Sequence, residues 1–430
     1  MQLMFRAAVL CLLCGMMRYA ASGQVTSQAS KAEAYSAENE SWHCPSLFEF
    51  EETSIPTTKA IDLFLHYRGD QLSNVAGGVE QRGAYLHNVN LLLGIDANEL
   101  IGWKGARFLV QVISNSGEGP NAFVGASQQV SNISAPKSTK LYQAWMQQDF
   151  IAGRLSFLAG LYDLNSEFYV TQTSSIFLNS SFHIGKELSQ PATNGSGIFP
   201  NSAAALRVRF RPTSRWSFQS VVMDGVPGDG NDRSSPSLRL SAAEGAFVAG
   251  EVAYSWRGIG DEGIGKGKYT LGGWVHTNPI QLLSASSQRE FERNYGAYFL
   301  AEQRVCSELA DGKQGLSMFM RIGLANADVN QYDFNLSGGF VYTGLVRGRN
   351  EDRLGFAATH ANNSSAYKSV ARIAGKPYAS SELVLELTYV AQLTSWLSIQ
   401  PDLQHIIHPS TRPDLDAATV MGSRLRVGLD

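Results

Sequence analysis

The chain has 430 residues, of which 44% are hydrophobic and 10% aromatic, enough for one large domain or about two or three ordinary ones. It carries 35 Lys and Arg against 38 Asp and Glu, a formal net charge of −3, and charges of both signs are scattered along it. A nucleic-acid-binding protein would show a basic stripe, so this composition excludes nucleic acid as a partner.

The N-terminus has the form of a secretory signal peptide. Arg6 precedes the apolar run Ala7–Met17, and small residues follow at positions 20–23. The run is well short of the ~20 residues that a membrane-spanning helix needs, so we expect cleavage after these small residues rather than a permanent anchor. We assign residues 1–23 to the signal peptide and the polar residues 24–57 to an N-terminal lead-in segment, whose role the sequence leaves open.

Past residue 57 the sequence predicts β-strands. Hydrophobic and polar residues alternate with a period of two over runs of about 9 to 14 residues. The clearest pair is 380–393 and 396–404, which the tight turn at Thr394 and Ser395 separates. About sixteen strands are predicted, at 58–68, 85–97, 105–116, 139–150, 154–162, 203–211, 216–224, 247–257, 268–277, 294–304, 316–325, 332–344, 352–360, 380–393, 396–404 and 418–429.

The connections between these strands alternate in length. Those after even-numbered strands are short, and those after odd-numbered strands are mostly long. This pattern is typical of an outer-membrane barrel with short periplasmic turns, long outer loops and both termini in the periplasm. We therefore predict that residues 58–430 form one all-β domain, a transmembrane antiparallel β-barrel of about 16 strands. Whether Cys44 and Cys306 pair in it stays open.

The longest predicted connection, residues 163–202, follows the fifth strand and is therefore the third outer loop. A barrel of about sixteen strands has a lumen wide enough for water, so something must narrow it if it is to select solutes. A connection of this length inside a compact protein is usually functional. We expect this loop to narrow the lumen.

Several motifs, taken in order, resemble the OprB-type carbohydrate-selective porins from about residue 58 to the C-terminus. The resemblance implies an outer-membrane barrel, monomeric or homotrimeric, that passes glucose and similar small sugars down a gradient without a cofactor. Two features depart from the family pattern: Leu161 replaces a basic residue, and the chain ends in Leu429 and Asp430 rather than in an aromatic residue. The motifs are LIGWKGARF (100–108), LYQAWMQQDF (141–150), LAGLYDLNSEF (158–168), FLNSSF (177–182), PNSAAALR (200–207), MDGVPGD (223–229), GAF with Glu251 after it, and PDLQHIIHP (401–409).

The strand 203–211 indicates the inward face most clearly, because apolar residues there alternate with arginines. A charge at mid-membrane on the lipid face costs roughly 2 to 4 kcal/mol, so the arginines are expected to face the lumen. They either contact the solute or pair with lumenal acids such as Asp62 or Glu251. The predicted inward arginines are Arg207, Arg209 and Arg211.

A sugar presents both hydroxyl groups and apolar C–H faces, so a sugar channel needs polar partners and aromatic surfaces. By strand parity, Trp145 and Trp274 point inward, either toward a solute or beneath an inward-folded loop. Asp163 and Glu167 lie at the base of the third loop, where they either reach the constriction or anchor the loop. Glu251, on the inward face of its strand, completes the predicted pore-lining set.

Other functions fit the sequence less well. An enzyme acting on lipids needs an activated nucleophile, and no Gly-x-Ser-x-Gly motif is present. His276, His405 and His408 lack carboxylate or cysteine companions at ligand spacing, so no metal site is predicted. A general diffusion porin, or a channel for another small polar solute, is the main alternative. A soluble binding protein would be distinguished by fractionation of the cell envelope.

Overall fold

The computed structural model describes residues 60–190, 195–228, 244–256, 266–283, 291–308 and 314–429. The predicted signal peptide and residues 24–57 lie outside this part of the chain. Cys306 is an exposed free thiol, whereas Cys44 also lies outside the described residues.

Sixteen strands of the described chain form one closed barrel in which every strand is antiparallel to both neighbours. The prediction of a sixteen-stranded antiparallel barrel is confirmed. The strands are β1 Ile61–Ala76, β2 Gly83–Asp96, β3 Ala106–Gly117, β4 Ser138–Phe150, β5 Leu155–Tyr162, β6 Ala203–Phe210, β7 Trp216–Asp224, β8 Ala246–Trp256, β9 Gly267–His276, β10 Tyr295–Ser307, β11 Gly315–Ala325, β12 Tyr332–Thr343, β13 Arg353–Asn363, β14 Ser381–Thr394, β15 Leu397–Ile407 and β16 Ala418–Leu429.

The period-two pattern explains the two faces of the wall. On β6, Leu206, Val208 and Phe210 are 65%, 40% and 43% exposed on the outside, whereas Arg207 between them is only 1% exposed. Successive side chains of a strand point to opposite faces, so a strand with this alternation has one apolar and one polar surface. The outer surface of the wall is therefore apolar, and the charged side chains of the strand face the interior.

Strand β16 closes the barrel against β1, and a buried ion pair marks the seam. Asp70 lies directly opposite Arg424 in the register. The Nε and Nη2 atoms of Arg424 donate to the two carboxylate oxygens of Asp70 at 2.6 and 2.7 Å. A one-residue slip of either strand would place the two side chains on opposite faces of the wall, so the ion pair would be lost.

Within the described residues, the connections contain four short α-helices and four 3₁₀ segments. The Asp96 carboxylate caps the first helix, and the Ser364 hydroxyl caps the last. No helix among the described residues has the length and apolar character needed to span a membrane. The helices are α1 Ala97–Ile101, α2 Asn121–Val124, α3 Lys186–Ser189 and α4 Ser365–Ile373; the 3₁₀ segments are Leu164–Ser166, Thr173–Ile176, Ser180–Phe182 and Pro409–Thr411; a two-residue strand pair joins Ile280–Gln281 to Phe291–Glu292.

Connections after odd-numbered strands are mostly long and those after even-numbered strands are short, as the sequence predicts, but residues 77–82 after β1 and residues 326–331 after β11 are also short. The turn between β14 and β15 consists of Ser395 and Trp396, one residue later than expected. Loop 2, residues 118–137, and loop 3, residues 163–202, both extend from the rim that carries the long connections. Apolar side chains of these two loops pack against inward-facing residues of the wall, so the hydrophobic core lies inside the barrel.

Candidate constriction of the channel

Loop 3 crosses the lumen and is attached to distant parts of the wall. Near its start, the backbone N–H of Tyr169 donates to Glu251 Oε1 on β8 at 2.7 Å. Farther along, the N–H groups of Leu178 and Asn179 donate to the two carboxylate oxygens of Glu386 on β14, at 2.5 and 2.9 Å. Since β8 and β14 are not neighbours in the barrel, the loop spans the interior rather than lining one wall.

Wall side chains satisfy the loop's backbone groups between these points. Glu302 on β10 accepts from the N–H of Thr173 at 3.1 Å. Arg321 on β11 donates to the carbonyl oxygens of Tyr169, Phe182 and His183. Buried backbone polar groups need such partners because water does not reach them. The carboxylates and Arg321 thus take the place of water around the loop.

Glycines in the wall allow the loop to pack closely. A Cβ atom added at Gly355 on β13 would lie 2.6 Å from Ile176 Cδ1, and one at Gly323 on β11 would lie 1.9 Å from Glu187 Oε1. Side chains larger than hydrogen would therefore displace the loop at both positions.

Loop 2 also folds into the lumen and pairs with loop 3, which the sequence analysis did not predict. The N–H groups of Ser127 and Gln128 donate to the Glu382 carboxylate on β14 at 2.8 and 2.6 Å. The N–H of Asn132 donates to the carbonyl of Leu178 in loop 3 at 2.7 Å. The length of this connection was the one sequence signal for its role, since its backbone contacts follow no periodicity.

Glu167 at the base of loop 3 is the centre of a charged cluster against β6. It accepts from Arg207 Nε and Nη2 at 2.7 and 3.0 Å and from Arg209 Nη1 at 3.0 Å. The hydroxyl of Tyr162 donates to it at 2.8 Å. The structure thus brings three predicted site residues together, and the acid that pairs with Arg207 and Arg209 is Glu167. Arg211 lies one residue beyond the end of β6.

Exposure divides this cluster into an inner and an outer part. The Arg207 side chain is fully buried and also donates to Gln147 Oε1 at 2.7 Å and Ser156 Oγ at 2.8 Å. The side chains of Arg209 and Glu167 keep 17% and 11% of their surface exposed. Arg207 therefore holds Glu167 in place, while Arg209 and Glu167 are the members that water reaches.

The two carboxyl groups at the loop base have opposite electrostatic environments. Burial raises the pKa of Glu167, but the guanidinium groups of Arg207 and Arg209 outweigh burial and hold that pKa at about 2. Burial raises the pKa of Asp163 to about 7. Asp163 Oδ1 accepts from the N–H of Asn165 at 3.0 Å, which caps the first 3₁₀ segment. Asp163 therefore stabilises the first turn of loop 3.

The two predicted inward tryptophans pack against the apolar cluster beneath loop 3. Trp274 is 4% exposed and belongs to that cluster together with Phe247 and Leu188. Trp145 is partly buried against the same cluster, and its Nε1 donates to Gln143 Oε1 at 3.2 Å. Of the two alternatives that the sequence left open for these tryptophans, the structure shows packing beneath an inward-folded loop.

Glu251 on β8 holds the start of loop 3 against the wall. Besides Tyr169, the Tyr298 hydroxyl donates to its Oε1 at 2.7 Å and Gln219 Nε2 to its Oε2 at 2.7 Å. The sequence analysis did not select Glu386, Glu302 or Arg321 as site residues. No group of three or more His, Cys, Asp or Glu side chains in the described chain is arranged to hold a metal ion.

A closed sixteen-stranded barrel, apolar outside and polar inside, with an outer loop folded across its lumen, defines an outer-membrane porin. The sequence matches the profile of the carbohydrate-selective porin, OprB family, over residues 80–429, and the chain belongs to this family. It is an integral protein of the bacterial outer membrane and a carbohydrate channel rather than an enzyme.

Two relatives illustrate the similarity. The chain is 24% identical to Porin B of Pseudomonas aeruginosa over 401 residues, which covers 86% of this chain and 87% of that protein. Its fold is similar to the high-pH structure of Pseudomonas putida OprB, with a TM-score of 0.77 and 23% identity over 86% of this chain and 94% of that one. The low-pH structure of the same protein aligns with a TM-score of 0.55 and 19% identity.

Proposed function

We propose that this channel selects small neutral sugars such as glucose at the passage between loop 3 and strand β6. The observation that supports the proposal is the Glu167 cluster, in which Arg209 and Glu167 present partly exposed donor and acceptor groups side by side. Adjacent hydroxyl groups of a sugar each donate and accept, so such a pair matches a diol. Solutes pass down their gradient by diffusion, without a cofactor.

The other predicted pore-lining residues have supporting roles in this proposal. Arg207, Asp163 and Glu251 hold the loop or Glu167, whereas Trp145 and Trp274 form the apolar support beneath the loop. We keep Arg211, at the end of β6, as a contributor to the positive potential of the passage.

The proposal also includes contact of the barrel wall with outer-membrane lipid and a monomeric or homotrimeric assembly. The apolar residues on the outside of the strands support contact with lipid, because an exposed apolar band is what a lipid-facing wall requires. The barrel closes within one chain, so each subunit of a monomeric or homotrimeric assembly would have its own channel. Cross-linking in native membranes distinguishes the two assemblies.

The test is liposome swelling with the Arg209→Gln variant. We expect the rate of glucose entry relative to that of an amino acid of similar size to fall several-fold, because one donor of the pair is lost while the loop stays attached through Arg207. The matched control is Arg412→Gln, whose arginine forms an exposed pair with Asp414 in an outer loop. If both variants retain the wild-type preference for glucose, the Arg209–Glu167 pair does not select the sugar.

A further inference from the structure

A polar cavity of about 490 Å³ lies near the rim that carries the long connections, apart from the Glu167 cluster. The end of β9, the segment before β10, the connections between β7 and β8 and between β11 and β12, and Gln190 of loop 3 all contribute to it. We propose that this cavity is a second sugar site, which binds a neutral sugar before it reaches the constriction. The inference rests on the proposed function and adds a site to it.

One residue that lines the cavity, His276, has a buried ring nitrogen without a partner in the described chain. His276 lines the cavity and is 2% exposed, and its Nε2 has no hydrogen-bond partner among the described residues. The ring packs against Phe247, with centroids 4.9 Å apart, and against the edge of Trp274 at 6.0 Å. Since buried polar groups are nearly always hydrogen-bonded, this nitrogen is free to bond a hydroxyl group of a bound sugar.

Amide side chains form a rigid wall beside this histidine. Asn294 and Asn330 exchange two hydrogen bonds, at 3.1 and 2.8 Å, and Asn330 Nδ2 also donates to the carbonyl of Asn326 at 2.8 Å. The backbone N–H of His276 donates to the carbonyl of Asn294 at 2.8 Å, which ties the histidine to the wall. Amides fixed by one another present their remaining donors and acceptors in set directions, as recognition of hydroxyl groups requires.

The charge and volume of the cavity define the ligand class. Of the described residues that line it, Glu244 is the one acid and none is Lys or Arg. An anionic sugar acid would meet no counter-charge among these described residues, whereas a neutral sugar pairs with the carboxylate through two adjacent hydroxyl groups. Val226, Ile280 and Val329 add apolar surface for its C–H face. The volume lies within the range of about 300 to 1,000 Å³ typical of small-molecule sites.

The experiment measures glucose block of the ion current through single channels, with glucose added to the outer or to the periplasmic side. Val329→Trp fills the cavity with an indole ring, and His276→Leu removes the unpartnered nitrogen. For both variants we expect the association rate of glucose from the outer side to fall at least five-fold. The periplasmic-side rate and the ion conductance should stay at wild-type values, since the cavity lies outside the constriction.

The controls separate this site from the constriction. His405→Leu removes a histidine that bonds Thr419 on the neighbouring strand and does not line the cavity, so it should leave both glucose rates unchanged. Gluconate has the same carbon skeleton as glucose and a negative charge. Its association rate from the outer side should be the same in the wild type and in His276→Leu. Folding is checked by the heat-dependent electrophoretic shift, and His276→Leu still tests the site if Val329→Trp does not assemble.

Two results overturn the inference and are distinguishable from each other. If folded variants keep the wild-type outer-side glucose rate, the cavity is not a sugar site, although the channel still passes sugar. If the wild-type barrel conducts ions but neither binds nor passes glucose, the proposed function fails, and the cavity site fails with it.

Discussion

Replacing Glu167 by Gln tests the charged cluster at the base of loop 3. The change keeps the shape of the side chain but leaves the two guanidinium groups that it pairs with, Arg207 and Arg209, without their counter-charge. Removing one partner of a buried ion pair costs about 3 to 5 kcal/mol. Taking about 3 kcal/mol, the equilibrium between an attached and a detached loop base shifts by roughly 150-fold toward detachment.

Single-channel recording measures both consequences of this change. We expect the Glu167→Gln current to fluctuate between the wild-type level and a higher conductance, because the detached loop base leaves a wider passage. The reversal potential in a salt gradient should shift toward anion selectivity, because one negative charge is lost beside two positive ones. Adding Arg209→Gln should return the reversal potential toward the wild-type value, since the net charge is restored.

The reasoning is refuted if folded Glu167→Gln channels show the wild-type conductance, noise and reversal potential. That result would mean that the cluster lies away from the permeation path and that other contacts alone hold the loop. The pH response is a second check: the pKa of Glu167 is lowered from 4.5 to about 2 in the attached loop, so attachment should not depend on this group above about pH 5 and should weaken progressively as pH falls from about 4.5 to about 2.

Three further predictions follow from the contacts of loop 3. Deleting part of residues 170–190 should raise single-channel conductance and abolish discrimination between small and large sugars in liposome swelling; unchanged conductance would locate the constriction elsewhere. Arg321→Met leaves loop carbonyls without donors, so the unfolding temperature of the barrel should fall and open-channel noise should rise. Burial raises the pKa of Glu187 to about 7. The attached loop therefore binds the carboxyl proton of Glu187 more tightly than a detached loop does, so attachment should weaken as pH rises from about 4.5 to about 7. Limited proteolysis of the loop should increase over that range in the wild type but not in Glu187→Gln.

The strands and their faces were predictable because a barrel wall imposes a period of two on the sequence. Parity on 203–211 was sufficient to turn Arg207 away from the lipid, and the structure buries it on the inner face. On β14, Glu382 and Glu386 alternate with apolar residues in the same way, and the structure buries both. Alternation therefore indicates which way a side chain points, one strand at a time.

The partners of these side chains were not predictable, because they lie on loops that have no periodicity. Glu167 is 40 residues from Arg207 along the chain, and no pattern in the sequence relates the two. Trp274 was predicted to point inward, but parity does not show that loop 3 covers it. Loop 2 was missed altogether, since its attachment to Glu382 is made by backbone N–H groups, which every residue except proline carries.

The measurement that tests the central claim most directly is solute entry into liposomes that contain the purified protein, with glucose, larger sugars and amino acids matched in size to glucose. A carbohydrate-selective channel narrowed by loop 3 predicts that glucose enters faster than the matched amino acids and that the rate falls steeply for the larger sugars. Equal rates for sugars and amino acids of the same size would contradict selectivity and indicate a general diffusion porin.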